Sequence, residues 1–304
     1  MSAAAGSMAG HGDPGLVLVP PQLASRPRLL RSLLHDRTAV LGLVIVATMS
    51  VAVVMAPVLS PHDPNAVDVA NRFASPSWKF PFGTDHLGRD VLSRLLHGGR
   101  LSIGTAVGAT AAISAIGLLL GMLAGYYAGL VDIVISRVIE VVQTVPGLLL
   151  ALAITAVLGT GLRNVAIAIV ITSWATYARI VRGAVLAERE KDYVEGARAV
   201  GTSTRRLFQR HLLPNILGPV LVITTLELGV ILLAVSGLSF LGLGVKPPAA
   251  EWGAMLSEGR TYLSRAPQMM FYPGAAIFLM VLGFNLLGDG LRDLLDPRTR
   301  SRGG

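Results

Sequence analysis

The sequence contains no cysteine. That excludes a disulfide framework, a thiolate nucleophile and any Cys-ligated metal. Lysine is nearly as scarce: Lys79, Lys191 and Lys246 are the only three, so arginine carries most of the positive charge. Charge of any sign is thin. Charged residues are 14% of the 304 and hydrophobic residues 52%, whereas a soluble domain carries about 25% charged residues. So apolar a chain is not built for water. The phosphate-cradling pattern G-x-x-x-x-G-K-[ST] is missing, so the chain cannot hold ATP phosphates by itself. H-E-x-x-H and G-x-S-x-G are missing too; "GLSFLG" at 237–242 has the wrong spacing for the latter. The six histidines are scattered. No catalytic residue, cofactor or metal site is therefore expected.

What the chain does have is long hydrophobic runs. A helix crosses the hydrocarbon core with about 20 apolar residues. Residues 39–60 and 101–131 carry no charge. Residues 133–160 form a third run, interrupted by Arg137, Glu140 and Pro146, where the proline should kink the helix. Residues 164–185 form a fourth, with Arg179 and Arg182 near its end. Residues 216–242 hold only Glu227, and residues 270–288 hold no charge. Six spans are expected, as an all-α membrane domain over 39–290. It would be flanked by a flexible N-terminal tail (1–38) and a C-terminal tail (291–304).

The net charge of +8 invites a nucleic-acid reading, but the positive-inside rule accounts for it more simply. Arg26, Arg28, Arg31 and Arg37 precede the first span, and the ending "RDLLDPRTRSRGG" holds four arginines. Both termini are thus expected in the cytoplasm of a bacterial inner membrane, with no nucleic-acid partner. The first external loop, 61–100, has five Lys/Arg offset by four aspartates.

Gly117, Gly121, Gly125 and Gly129 recur every four residues and should let another helix approach closely. Ionisable residues inside spans face a bundle interior or water. Glu140 with Gln143, and Glu227, are therefore candidates to line a pathway. Pairing of Glu140 with Arg137, and a buried hydrogen bond at Glu227, are the structural alternatives. Asn285 and Asp289 should fix the inner end of the last span.

The most charged stretch is "EGARAVGTSTRRLFQRHLLPN", 195–215, with five cationic residues counting His211, and one carboxylate. Its apolar residues recur at helical spacing. Gly201 divides it into two short helices, because glycine takes φ > 0 at no steric cost. Thr202, Ser203 and Thr204 are placed to cap the second helix, and Pro214 to end it before the fifth span. The expected result is a helix pair on the membrane surface. DNA binding is excluded because both ends are tied to the membrane.

This stretch resembles the cytoplasmic loop of bacterial ABC importer permeases, whose pattern is E-A-A-x3-G-x9-I-x-L-P. Glu195, Gly196 and Ala197 stand for E-A-A, Gly201 for the glycine, and Leu213-Pro214 for the ending. Gly196 replaces an alanine and His211 the usual isoleucine. "FGTDHLGRDVLSRLLHGGRLSI" (82–103), "LSFLGLGVKPPAAEWGAML" (238–256) and "FNLLGDGLRDLLDPR" (284–298) resemble further signatures of the dipeptide/oligopeptide/nickel branch, C-type subunit. Val235 departs from the branch, where many relatives carry glutamate.

The resemblance implies a type I importer permease, not an enzyme. Its partners would be a homologous second permease, two ATP-binding subunits or one fused ATPase, an extracytoplasmic substrate-binding protein, and membrane lipid. ATP hydrolysis would belong to the partners. Residues 190–212 would dock on the ATPase, with Glu195, Gly196, Ala197, Gly201, Arg205, His211, Leu213 and Pro214 as coupling residues. Residues 246–266, with 62–100, are expected to form part of the binding-protein platform, through Lys246, Glu251, Trp252 and Glu258. Peptides are the favoured cargo, with nickel chelates, haem or glycosides as alternatives. A stand-alone secondary transporter would show inverted repeats, and none is visible.

Overall fold

The computed structural model describes residues 36–295. The expected tails, apart from their innermost residues, lie outside the described residues. Every regular element described is helical. Helix α1 (Arg37–Val54) starts at Asp36, whose carboxylate accepts from the Thr38 and Ala39 amides, satisfying N–H groups a helix leaves open. A short α2 (Ala56–Leu59) leads into an irregular segment ending at Asp90. Asp90 caps α3 (Val91–Tyr127) by accepting from the Ser93 amide. Then come α4 (Gly129–Thr144), α5 (Gly147–Leu158), α6 (Leu162–Arg189), α7 (Asp192–Ala199), α8 (Thr204–Leu207), α9 (Leu213–Phe240), α10 (Trp252–Arg260) and α11 (Gln268–Leu295).

Five helices are long and apolar enough to cross a membrane, and α4 with α5 makes a sixth span if the two count as one. These two are not one kinked helix. They meet at 84°, because Val145 before Pro146 is extended (φ −99, ψ 135). A residue before proline is pushed out of the α region, so the chain breaks where a kink was expected.

The centre of the bundle is α3 against α6. Added Cβ atoms at Gly117, Gly121 and Gly125 would come within 2.6–2.8 Å of Tyr177, Ala178 or Val185 atoms. Bare glycine is therefore what lets the two backbones meet. Gly129 is not part of this face. It lies beyond the end of α3 in a positive-φ turn (φ +56) with Ala128 (φ +52), and a Cβ added there would meet nothing within 4 Å. Helices α1 and α11 pack equally closely, with Gly42 against Gly283 and Leu287. Asp289 is exposed rather than paired with Arg292.

Candidate functional site: the basic end of the bundle

Three elements build the segment 190–215. Helix α7 carries Asp192 and Glu195 in its first turn and Arg198 in its last, each favourable to the helix dipole. It stops at Gly201, whose φ of +76 sends the chain into α8. Ser203 stands at the N-cap of α8, but its side chain makes no capping bond. Pro214 does not end the second helix as expected. A π-turn, Phe208–Leu212, joins α8 directly to α9, and Thr204–Phe240 runs on as one apolar rod. The π-turn has i→i+5 bonding, so it absorbs the N–H that Pro214 lacks.

The segment has two sides. Val194, Leu207 and Leu212 are fully buried against the bundle. Glu195, Gly196, Arg198, Arg205, Arg206 and Arg210 are exposed on the other side. Ala197, His211, Leu213 and Pro214 are half-buried at the seam. An added Cβ at Gly196 or Gly201 would meet nothing within 4 Å, so Gly201 is required by its backbone angle alone.

A hydrogen-bond network with no motif in the sequence to announce it ties this segment to two spans. Glu188, buried in the last turn of α6, accepts a short bond from the Tyr193 hydroxyl of α7 and another from Lys191 Nζ at 2.7 Å. Asn215 Nδ2, in the first turn of α9, donates to the Tyr193 hydroxyl at 3.0 Å and to the His211 carbonyl at 2.6 Å. Burial first, and then the bonded Glu188 carboxylate, push the Tyr193 phenol above its ordinary 10.0. Tyr193 thus joins α6, α7 and α9. The one visible signal was an aromatic residue within a charged run.

The end of α3 is held in the same place. Arg189 Nη1 donates to the Gly125 and Tyr126 carbonyls at 3.1 and 3.2 Å, satisfying acceptors that a helix end leaves open. Arg198 lies over the Tyr126 ring at 5.2 Å, and Tyr126 meets Phe208 edge-on at 4.6 Å. Between them opens a cleft of about 470 Å³ lined by Tyr126, Tyr127, Arg189, Glu190, Glu195 and Arg198.

At the opposite end of α3, three of the expected platform residues do other work. Glu251 is fully buried and caps α10, accepting from the Gly253 and Ala254 amides and from Ser102 Oγ at 2.8 Å. Trp252 is 1% exposed and donates its indole N–H to the Leu95 carbonyl. Neither offers surface to a partner. Glu258 binds Arg89 Nη2 at 2.9 Å and Arg94 Nη2 at 3.2 Å, and both arginines are buried. Its partners are internal, because two guanidiniums removed from water need carboxylates beside them. Asp85, 2.6 Å from Arg89 Nε, is the second. Asp85, His86 and Glu258 lie close enough to hold a cation, but both carboxylates already serve these arginines. Of the four residues only Lys246 is exposed.

Within the spans, Glu140 pairs with Arg137 at 2.7 Å, and both stay largely exposed. Gln143 donates to Thr176 Oγ1 at 3.0 Å. Glu227 is half-buried, and no hydrogen bond ties it to another described residue. Val235 is fully buried, so the side chain that departs from the branch pattern sits in the subunit core.

Residues 117–301 match the family described as "binding-protein-dependent transport system inner membrane component". Residues 28–76 match the "N-terminal TM domain of oligopeptide transport permease C". The chain is 42% identical over 257 residues to the nickel transport system permease protein NikC of Escherichia coli K12, covering 84% of this chain and 93% of that one. It is 40% identical over 271 residues to the dipeptide transport system permease protein DppC of Alkalihalophilus pseudofirmus, covering 89% of each. It is 42% identical over 286 residues to the glutathione transport system permease protein GsiD of Escherichia coli O157:H7, covering 93% and 94%. Among solved structures, an amino acid ABC transporter superposes with a TM-score of 0.50 at 19% identity, over 68% of this chain and 94% of that one.

Proposed function

This chain belongs to the family of inner membrane components of binding-protein-dependent transport systems, and on that premise we propose that it carries di- or oligopeptides. It is a multi-pass permease subunit of an ABC importer and is not itself an enzyme. The family implies a partner permease, an ATPase and a binding protein. In the proposal these are one homologous permease, two ATP-binding subunits or one fused ATPase, and an extracytoplasmic binding protein. Peptide cargo draws support from the oligopeptide-permease match at 28–76 and the dipeptide relative. The nickel relative supports the second reading, a metal chelate carried by the same architecture.

The observation that carries the mechanism is the two-sided segment 190–212. Its apolar side is fixed to the bundle and its charged side is free. A load applied to Glu195, Arg205 and the other free charges would pass through Tyr193 and Asn215 to α6 and α9. Those helices pack on α3, so ATP-driven closure of the partners would reorient the spans. Both termini and this segment then belong in the cytoplasm, as the arginine distribution requires. Lys246 is the remaining candidate for contact with the binding protein.

The test is reconstitution with the ATPases and binding protein, scoring uptake of a dipeptide beside uptake of a nickel–histidine chelate. Dipeptide-stimulated ATPase activity with dipeptide uptake supports the proposal. Stimulation by the chelate alone replaces it with the second reading.

A further inference from the structure

The segment 61–100, outside in the proposed orientation, carries five Lys/Arg, although short external loops are ordinarily poor in them. The fold itself uses most of these. Arg89 and Arg94 are buried against Glu258, Arg100 donates to the Val53 and Val54 carbonyls at the end of α1, and Lys79 is attracted to Asp68. Arg72 is left over, and the turn between α10 and α11 brings Arg265 to the same place. Both are exposed, and neither has a carboxylate in salt-bridge reach among the described residues. The surface around them is cationic: in 61–90 and 260–267 the exposed charges are Arg72, Lys79, Arg260 and Arg265 against Asp63 alone.

Arg72 and Arg265 meet at Phe73. The Arg265 guanidinium lies 4.4 Å from the ring centroid and that of Arg72 5.7 Å, both within cation–π reach. Arg72 Nε also donates to the His86 carbonyl at 2.6 Å, which fixes the side chain and leaves its outer nitrogens free. Phe73 is held at φ +59, an outlier for so bulky a residue. Its surroundings impose that angle. The Phe73 amide donates to the Asp85 carbonyl at 3.1 Å, the Ala74 amide donates to Thr84 Oγ1 at 2.8 Å, and the ring packs on Tyr262 at 5.2 Å. Backbone strain over-determined in this way gathers at ligand clamps. Here it holds one ring against both loops, with two like charges beside it. Those charges repel each other, and only an anion from outside relieves them.

We propose that the Arg72–Phe73–Arg265 cluster is a docking point for acidic side chains on the extracytoplasmic binding protein. This rests on the reading of the chain as a binding-protein-dependent permease. A guanidinium stays charged, and its planar fork matches a carboxylate. Arginine and tryptophan are enriched among the side chains that anchor interfaces, and Trp78, in the loop that Thr84 ties to Ala74, is fully exposed. Anionic lipid is the other class of partner for such charge. Its negative surface potential belongs to the cytoplasmic leaflet, however, and it needs no strained ring to position the cations. Fixed cations at the outer end steer an acidic face into place and set its register.

The test uses the full complex, with its ATPases, in nanodiscs of phosphatidylcholine with and without phosphatidylglycerol. Association of the dipeptide-loaded binding protein is followed by stopped-flow fluorescence. Arg72→Glu combined with Arg265→Glu should lower the association rate constant about tenfold or more at low salt. The gap from wild type should close at about 1 M salt, where the Debye length is about 3 Å. Arg72→Lys combined with Arg265→Lys should keep the salt dependence and most of the rate. Phe73→Gly relaxes the backbone and removes the ring, so it should slow association several-fold in an assembled complex; a purely structural position would instead be neutral or stabilised by glycine at that angle. An unchanged association rate in the double reversal, with the complex assembled, overturns the proposal. Loss of co-purifying phosphatidylglycerol with docking intact overturns it too, and assigns the cations to lipid. Absence of binding-protein association with the wild-type complex would instead overturn the importer reading beneath it.

Discussion

At the scale of single residues, the sharpest consequence concerns Tyr193. Its hydroxyl donates to a buried carboxylate and accepts from Asn215, so Tyr193→Phe removes both bonds while keeping the ring. Hydrogen bonds to charged groups contribute about 1.5–3 kcal/mol. Tyr193→Phe should therefore assemble but lose most substrate-stimulated ATPase activity and uptake, with basal ATPase retained. Asn215→Ala should add little on top, since both changes act on one network. The phenol is raised above 10.0, so the fold favours its protonated form. That contribution is complete below the ordinary value and is lost as pH rises beyond it. The gap between wild type and Tyr193→Phe should thus stay flat from about pH 6 to 9, measured as stimulated ATPase rate. Gly201→Val should damage coupling more severely, because a β-branched residue at φ +76 is a steric outlier. Gly196→Ala should be neutral or stabilising by about 0.5–1 kcal/mol, since a methyl group there meets only open space.

At the scale of elements, the apolar runs located the long helices, because length and hydropathy are properties of the chain itself, although α3 starts at Val91 rather than at 101 and α11 runs on to Leu295 rather than ending at 288. Three features escaped. The α4–α5 break needed Val145 to leave the α region, whereas proline alone announced only a kink. The continuity of α8 with α9 depends on a π-turn, which no local residue pattern specifies. Burial of Glu251 and Trp252 depends on Ser102 and Leu95, some 150 positions away. The two short helices divided at Gly201 were legible because their pattern is local; Tyr193's partners were not, because they sit on two other helices. Element packing also yields predictions. Gly121→Val would drive a side chain into the Ala178 carbonyl and Val181, so it should abolish assembly, seen as loss of co-purifying partners. Glu258→Ala leaves two buried guanidiniums short of a carboxylate and should cost about 3 kcal/mol, read as a lowered thermal unfolding midpoint in detergent.

At the scale of the whole molecule, one end of the bundle is tied together by buried charge and a capped short helix, and the other ends in a two-sided basic segment. That polarity is what a permease worked from one side requires. On the proposed orientation, with arginine-rich segments inside, a reporter fused after Arg302 should be active only in the cytoplasm and one near Pro247 only outside. The central claim is that residues 190–212 form the surface on which the ATPase acts. Its most direct measurement uses Glu195→Cys, the sole thiol in this chain, carrying a photoreactive thiol reagent in the assembled complex. The account predicts transfer of the label to the ATP-binding subunit, in a yield that changes between nucleotide-free and vanadate-trapped states. Label found only in lipid or in this chain, with the ATPase present in the complex, would contradict it.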